Sequence, residues 1–174
     1  RASLITFFAL QAEGRVPAML NFSTGPASAI AACRGAEITR IVTARLFIEK
    51  AKLQALIAAL EPHATIVYLE DIRRDIGTFT KVRALARSLR ATPRHRPERA
   101  NDPAVVLFTS GSEGTPKGVV LSHRNLLANR HQLSSVIDIS PKDVVFNALP
   151  VFHSFGLTGG LLLPLLAGVR TFLY

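Results

Sequence analysis

Apolar residues recur along the chain with two different spacings, one typical of helices and one typical of strands. Apolar residues three or four positions apart predict helices over residues 2–12, 26–35, 46–60, 71–90, 122–135 and 155–167. Short β-branched or apolar runs predict strands over residues 16–22, 40–43, 65–69, 104–109, 144–148 and 169–173. Because the two signals alternate, we expect an α/β fold, with a mostly parallel, doubly wound sheet and helices on both faces.

Length and composition limit the class of protein. The chain has 174 residues, of which 48% are hydrophobic and 19% charged, as in a globular domain with a packed core. We therefore expect one domain. The single cysteine, Cys33, excludes an internal disulfide framework and offers no zinc-binding spacing, which favours a reducing compartment.

The net charge of +9 is concentrated in one part of the chain. Residues 71–99 carry nine basic and three acidic side chains, and 71–90 has the pattern of a basic amphipathic helix. The simplest interpretation is a solvated helix; an anionic membrane surface or an acidic partner protein are the alternatives. Nucleic-acid binding is not predicted, because Phe79 is the only aromatic residue in this segment. The proline-rich residues 90–103 are expected to form an exposed connection.

The most informative segment is a loop over residues 109–118, directly after the apolar run 104–108. Glycine lets backbone N–H groups approach a ligand without interference from a Cβ atom, hydroxyl groups donate hydrogen bonds, and lysine adds a compact positive charge. This composition predicts phosphate binding, with a solvent-exposed turn as the alternative. The loop contains Gly111, Gly114 and Gly118, the hydroxyl residues Thr109, Ser110, Ser112 and Thr115, and the charged residues Glu113 and Lys117.

Other phosphate-binding and nucleophile motifs do not fit this loop. A Walker A loop ends in Gly-Lys-Ser/Thr, whereas Pro116 precedes Lys117 and Gly118 follows it. No Gly-x-Gly-x-x-Gly dinucleotide fingerprint and no Gly-x-Ser-x-Gly nucleophile elbow is present.

Residues 109–118 resemble the phosphate loop of the adenylate-forming (AMP-binding) superfamily, and residues 149–156, Leu-Pro-Val-Phe-His-Ser-Phe-Gly, resemble its second signature. Three segments, 7–22, 107–129 and 148–174, resemble more closely the synthetase half of bacterial bifunctional 2-acylglycerophosphoethanolamine acyltransferase/acyl-acyl-carrier-protein synthetases. Glu113 stands where the wider superfamily has threonine, which favours that branch.

The resemblance implies a ligase that uses ATP and Mg²⁺ to activate a fatty acid and passes the acyl group to acyl carrier protein or to CoA. Residues 109–115, Lys117 and Gly118 would bind phosphate, Lys117 would supply a mobile countercharge, and His153 would orient the acyl carboxylate or α-phosphate. The alternative for His153 is a packed, structural histidine. Glu113 would turn away from the phosphates or assist a metal, and the empty loop would be mobile over residues 111–117.

The resemblance also implies that residues 1–174 are a partial N-terminal AMP-binding domain, inactive alone, because the superfamily's later motifs would lie beyond Tyr174. Most Mg²⁺ ligands would lie there too. The parent protein would carry a fused acyltransferase. It would act in phospholipid acyl recycling on the cytoplasmic side of the inner membrane. The alternatives are a fatty-acyl-CoA ligase, a non-catalytic basic docking module, or a nucleotide-hydrolysing enzyme. The acyl chain would lie along residues 155–166, unless these residues only pack the core.

Overall fold

The computed structural model describes residues 2–89, 97–109 and 115–173. The helices are α1 (Ala2–Ala12), α2 (Pro26–Gly35), α3 (Arg45–Lys50), α4 (Gln54–Leu60), α5 (Leu69–Asp75), α6 (Thr78–Leu89), α7 (His123–Val136), α8 (Ser154–Leu157) and α9 (Leu163–Leu166). The strands are β1 (Ala18–Met19), β2 (Arg40–Thr43), β3 (Thr65–Tyr68), β4 (Pro103–Thr109), β5 (Lys117–Ser122), β6 (Val144–Asn147) and β7 (Arg170–Leu173). A 3₁₀ turn covers Pro97–Arg99, and one π-helical turn, Thr158–Leu162, joins α8 to α9.

The predicted α/β class with mostly parallel strand pairs is confirmed. Strand β1 pairs with β4, β2 with β3, and β6 with β7, all in parallel. Within the described residues these pairs form three separate sheets rather than one. The added strand β5 was not predicted, and it runs antiparallel to β4, so that the first sheet has the order β1-β4-β5.

Two predicted helices are each divided in the structure. The predicted helix 46–60 is broken at Lys52, whose φ of 53° lies in the left-handed region and separates α3 from α4. The predicted helix 71–90 is broken after α5, where Ile76 is extended, with φ −76° and ψ 98°. Part of the expected connection 90–103 lies outside the described residues; its end is the 3₁₀ turn and the start of β4.

The central strand β4 contributes most to the main core. Val105 is fully buried, and Ala104 and Leu107 are also buried in the same cluster. Against these residues pack Phe7 of α1, Leu126 of α7 and three leucines of the C-terminal segment. Burying each large aliphatic side chain stabilises the fold by roughly 1.5–3 kcal/mol, so β4 is held firmly in place. The leucines are Leu157, Leu161 and Leu162.

A second cluster lies between α2 and α4. It contains Ala29, Cys33, Leu56 and Leu60. Cys33 is buried, and this burial raises the pKa of its thiol. The cysteine therefore acts as a small apolar core residue.

The apolar C-terminal segment is core helix and strand, as expected. Leu157, Leu163 and Pro164 are among its fully buried side chains. In the part of the chain that the structure describes, no helix is long and apolar enough to span a bilayer.

An ion pair links α5 to α3. The Arg45 guanidinium donates two hydrogen bonds to the Asp71 carboxylate, with N–O distances of 3.0 and 2.7 Å. The same guanidinium lies 4.0 Å from the centroid of the Tyr68 ring. This hydrogen bonding holds the pKa of Asp71 below its usual range.

We expect Arg45→Gln to return the pKa of Asp71 toward the ordinary aspartate range, as measured by NMR titration of its side-chain carboxyl carbon. Because the folded pKa is depressed, the pair's stabilisation is present above the unfolded pKa and is lost as pH falls through the folded pKa. Arg40→Gln is the control, since Arg40 lies on β2 and makes no described ion pair with Asp71. An unchanged Asp71 pKa in Arg45→Gln would contradict the assigned pairing.

Candidate functional site

The predicted phosphate loop is the connection of a β-hairpin. Strands β4 and β5 pair antiparallel, and their last register pair at this end is Thr109 with Lys117. Cross-strand partners in such a ladder lie about 4.5–5.5 Å apart, so the residues at the two ends of the loop face each other. Of the predicted loop residues, Ser110, Gly111, Ser112, Glu113 and Gly114 lie outside the described residues, as does most of the segment expected to be mobile.

The described loop residues present a hydroxyl and a cation to solvent. Thr115 and Lys117 are both exposed. Gly118 lies in β5 opposite Phe108 and is not among the glycines with positive φ. A Cβ atom at Gly118 would lie 3.4 Å from Val106 Cγ1, an ordinary contact. Gly118 is therefore a strand residue, and its predicted part in phosphate binding stays a prediction.

A small cavity opens beside both ends of the loop. It has a volume of about 250 Å³ and lies between α2, the segment after β1 and the end of β4. Since β1 and β4 are parallel, their carboxyl ends lie on one edge, the place where α/β sheets commonly bind ligands. Its polar lining residues are Asn21, Thr24, Ser28 and Thr109.

The wall of this cavity is built by a tight turn after β1. The Asn21 side-chain oxygen accepts a hydrogen bond from the Ser23 backbone N–H at 2.9 Å, and the Thr24 hydroxyl donates to the Asn21 carbonyl at 3.1 Å. Gly25 then adopts a φ of 83° directly before α2 begins. Ligand pockets for molecules of drug size occupy roughly 300–1,000 Å³, so the described part of this cavity is slightly smaller than such a pocket.

The second predicted signature forms a close turn before α8. The His153 backbone N–H donates to the Pro150 carbonyl at 3.0 Å. A Cβ atom on Gly156 would overlap the Pro150 carbonyl oxygen and would lie 2.9 Å from the carbonyl carbon. Only glycine fits at Gly156 with the turn in its present position.

A buried asparagine holds this turn. The Asn147 side-chain amide donates to the Gly156 carbonyl at 3.2 Å, and its oxygen accepts from the Leu149 N–H at 3.1 Å. A Cβ atom on Gly160 would overlap the Asn147 side chain, which is 5% exposed. The π-helical turn therefore packs directly on the asparagine.

Aromatic contacts bring the second signature to the carboxyl edge of β1. The Phe22 ring lies edge-on to Phe152 with centroids 5.2 Å apart, and also edge-on to Phe47 at 5.2 Å. The Phe152 ring centroid is 5.4 Å from that of His153. Phe152 is buried, whereas the His153 side chain is exposed. The exposed side chain does not fit a histidine packed in the core, and the binding role of His153 stays a prediction.

Helix α7 begins with a side-chain cap. Ser122 caps the helix, accepting from the Asn125 N–H at 3.2 Å, while the Asn125 side chain accepts from the Ser122 N–H at 2.9 Å. This capping box starts α7 at His123, one residue after the start of the predicted helix 122–135. It also fixes the end of the β4–β5 hairpin on the core.

A second cavity bears on the expected position of an acyl chain. It has a volume of about 350 Å³ and lies between α7 and the segment 154–158. Phe155 and Thr158 line it, but Leu161 and Leu162 are buried in the core. Most of residues 155–166 thus pack the fold, and only the first turn faces an open cavity.

Among the residues that the structure describes, no group of three or more His, Cys, Asp or Glu side chains could hold a metal ion. The expected Mg²⁺ ligands stay a prediction, and Glu113 lies outside the described residues.

Sequence reasoning missed the residues that connect the two motifs: Asn21, Phe22, Thr24 and Asn147. A signal for three of them was present, because polar residues and an aromatic residue follow the apolar run 16–20 at the carboxyl end of a predicted parallel strand. Nothing local marks Asn147, whose role depends on the later packing of Gly160.

Comparison with known proteins settles the family. The profile of the AMP-binding enzyme family matches residues 2–174. The chain belongs to the AMP-binding enzyme family. The resemblance of both motifs to adenylate-forming enzymes is thus confirmed at the level of the family, and so is the N-terminal fold of such enzymes.

Individual relatives match parts of the chain. A medium-chain fatty-acid–CoA ligase of Escherichia coli is 41% identical over 70 residues, 40% of this chain and 12% of that protein. A medium-chain fatty-acid–[acyl-carrier-protein] ligase of Teredinibacter turnerae is 38% identical over 71 residues, 41% of this chain and 11% of that protein. The structure of ATP-bound MatB from Rhodopseudomonas palustris superimposes with a TM-score of 0.67 and 26% identity, covering 99% of this chain and 32% of that one. This AMP-binding enzyme chain therefore spans about a third of a solved relative.

We expect Gly156→Ala to lower the free energy of unfolding by about 1–3 kcal/mol, because the added methyl group must displace the Pro150 carbonyl. Urea denaturation measures the change. Gly35→Ala is the matched control, since a Cβ atom there meets nothing within 4 Å. Equal stability of Gly156→Ala and the control would show that the turn is not as tight as described.

Proposed function

We propose that this chain is the nucleotide-loop part of an ATP-dependent fatty-acyl ligase, which forms an acyl-adenylate and transfers the acyl group to acyl carrier protein. The observation that carries the proposal is the position of both signatures. The hairpin ends at Thr109 and Lys117, and the turn carrying His153 reaches the same sheet edge through Phe22 and Phe152. This chain of contacts supports a shared site for the hairpin ends and His153.

In the first step, a fatty-acid carboxylate oxygen attacks the α-phosphorus of ATP, and the bond from that phosphorus to the bridging oxygen of pyrophosphate breaks. Negative charge accumulates on the departing pyrophosphate. The hydroxyl groups of Thr109 and Thr115 and the ammonium group of Lys117 stabilise that charge by hydrogen bonding and electrostatic attraction. Family resemblance assigns the same role to Ser110 and Ser112.

His153 is proposed to orient the acyl carboxylate toward the α-phosphate by donating a hydrogen bond. Its exposed ring and its anchoring on Phe152 support this role. In the second step, a phosphopantetheine thiolate attacks the acyl carbonyl carbon and AMP leaves. The chemistry needs no covalent intermediate with the protein.

The names of similar proteins support a fatty acid, ATP and a thiol acceptor as substrates. The Escherichia coli relative acts on medium-chain fatty acids with CoA, and the Teredinibacter turnerae relative acts on them with acyl carrier protein. MatB was solved with ATP bound. CoA is thus the alternative acceptor. A fused acyltransferase, a role in phospholipid acyl recycling and a cytoplasmic location at the inner membrane belong to the same proposal and rest on the resemblance alone.

The chain spans about a third of MatB, so the functional test needs a longer polypeptide that contains it. We propose fatty-acid-dependent ATP–pyrophosphate exchange by that polypeptide, with the 174-residue chain inactive alone. Supplying acyl carrier protein or CoA to the accumulated adenylate then distinguishes the acceptors. No exchange with any fatty acid would refute the ligase proposal.

We expect Lys117→Ala in the longer polypeptide to slow exchange about a hundredfold, because a preorganised cation is removed from the leaving pyrophosphate. Lys142→Ala is the control, since Lys142 is also an exposed lysine but lies in the turn before β6. An equal effect of the two substitutions would contradict the assigned role of Lys117.

A further inference from the structure

Helix α6 carries an apolar face that the described structure leaves open. None of its residues is buried, and it has no extensive packing against any other described element. Phe79, Val82, Leu85 and Leu89 are 79%, 60%, 62% and 81% exposed. At 3.6 residues per turn these side chains fall within an arc of about 120°, so they form one continuous stripe.

Such a stripe is unusual on a solvated surface. Apolar side chains scattered singly need no explanation, but a contiguous exposed patch marks an interaction site. The stripe is extended toward α5 by Ile72 and Ile76, which are 41% and 37% exposed. The segment therefore presents more apolar surface than a solvated helix requires.

Cations border the stripe on both sides. By helical position, Lys81 lies beyond one edge and Arg83 beyond the other, each about 40° from the nearest apolar residue. Arg87 adds a second charge on the Arg83 side, and α6 contains no acidic residue. An apolar centre with cationic borders is the pattern of a helix lying in a membrane interface.

Asp71 and Asp75, two acidic residues of the preceding helix α5, are already paired with arginines. Asp71 binds Arg45 at 2.7 Å and Arg74 at 3.4 Å, and Arg74 also approaches Asp75 at 3.4 Å. In contrast, no described carboxylate lies within 4.0 Å of Lys81, Arg83 or Arg87. The positive charge of α6 is thus available to an external anion.

We propose that α6 docks the protein on an anionic lipid surface. The stripe enters the boundary of the acyl chains, and Lys81, Arg83 and Arg87 contact the lipid phosphates. A lipid surface fits better than an acidic protein, because the apolar side chains occupy the centre of the face and the cations occupy its borders. The Arg45–Asp71 pair anchors α5, the helix that precedes α6, to α3. Docking on lipid is separate from adenylation and does not rest on the ligase proposal.

The test is co-sedimentation of the 174-residue chain with vesicles of phosphatidylglycerol and phosphatidylcholine, beside vesicles of phosphatidylcholine alone. We expect binding to the anionic vesicles, weakened by added salt, and little binding to the neutral ones. Replacing both Arg83 and Arg87 with Gln should weaken binding about 25-fold, since each charge near an anionic surface contributes about fivefold. Replacing both Leu85 and Leu89 with Gln should weaken it at least about tenfold.

Matched controls lie on other elements. Leu127→Gln replaces an α7 leucine that is 55% exposed, and an Arg124→Gln, Arg170→Gln pair removes two exposed charges. These variants should bind as the original chain does, and circular dichroism checks that every variant is folded. The proposal would be overturned if the chain bound neutral and anionic vesicles equally well, or if the control variants lost as much binding as the α6 variants. It would also be overturned if the chain bound poly-L-glutamate more tightly than anionic vesicles.

Discussion

The structure depends above all on the hydrogen-bonded ladder between β4 and β5. Strand β4 is the central strand of its sheet, and its side chains Ala104, Val105 and Leu107 are buried in the main core. Because the ladder runs to Thr109 and Lys117, the buried core supports both ends of the predicted phosphate loop. One end of that loop is the end of β4, the most buried of the described strands. The energy that positions the site thus comes from apolar burial.

A second constraint joins the two signatures. Strand β1 runs parallel to β4, so the turn that begins at Asn21 is placed beside Thr109. Phe22 in that turn contacts the buried Phe152. The next residue, His153, is exposed, and its ring lies 5.4 Å from that of Phe152. This aromatic contact joins residues about 130 positions apart in sequence. The buried Asn147, satisfied at both ends of its amide, keeps the turn before α8 from shifting away.

Sequence patterns predicted the elements that depend on local periodicity. Strand β4 and helices α1 and α2 were expected within one residue of their observed bounds, because a continuous apolar run and helical spacing define them. Strand β5 was missed because Val119 and Val120 are apolar yet exposed, so the alternation that marks a half-buried strand is absent. The break at Lys52 depends on a left-handed backbone conformation that its side chain does not favour. The motif residues Lys117 and His153 were found from their order along the chain, whereas the contacts of Phe22 and Asn147 arise only from packing between distant segments.

The central claim is that the β4–β5 hairpin and the turn at His153 form one nucleotide-binding edge. Titration of the 15N-labelled chain with ATP, followed by amide chemical shifts, tests this claim most directly. We expect saturable shifts at Thr109, Lys117, Phe22 and His153, with α6 unaffected once salt screens its charge. Shifts confined to the cations of α6, or a response at Lys117 without any at His153, would contradict a single shared site.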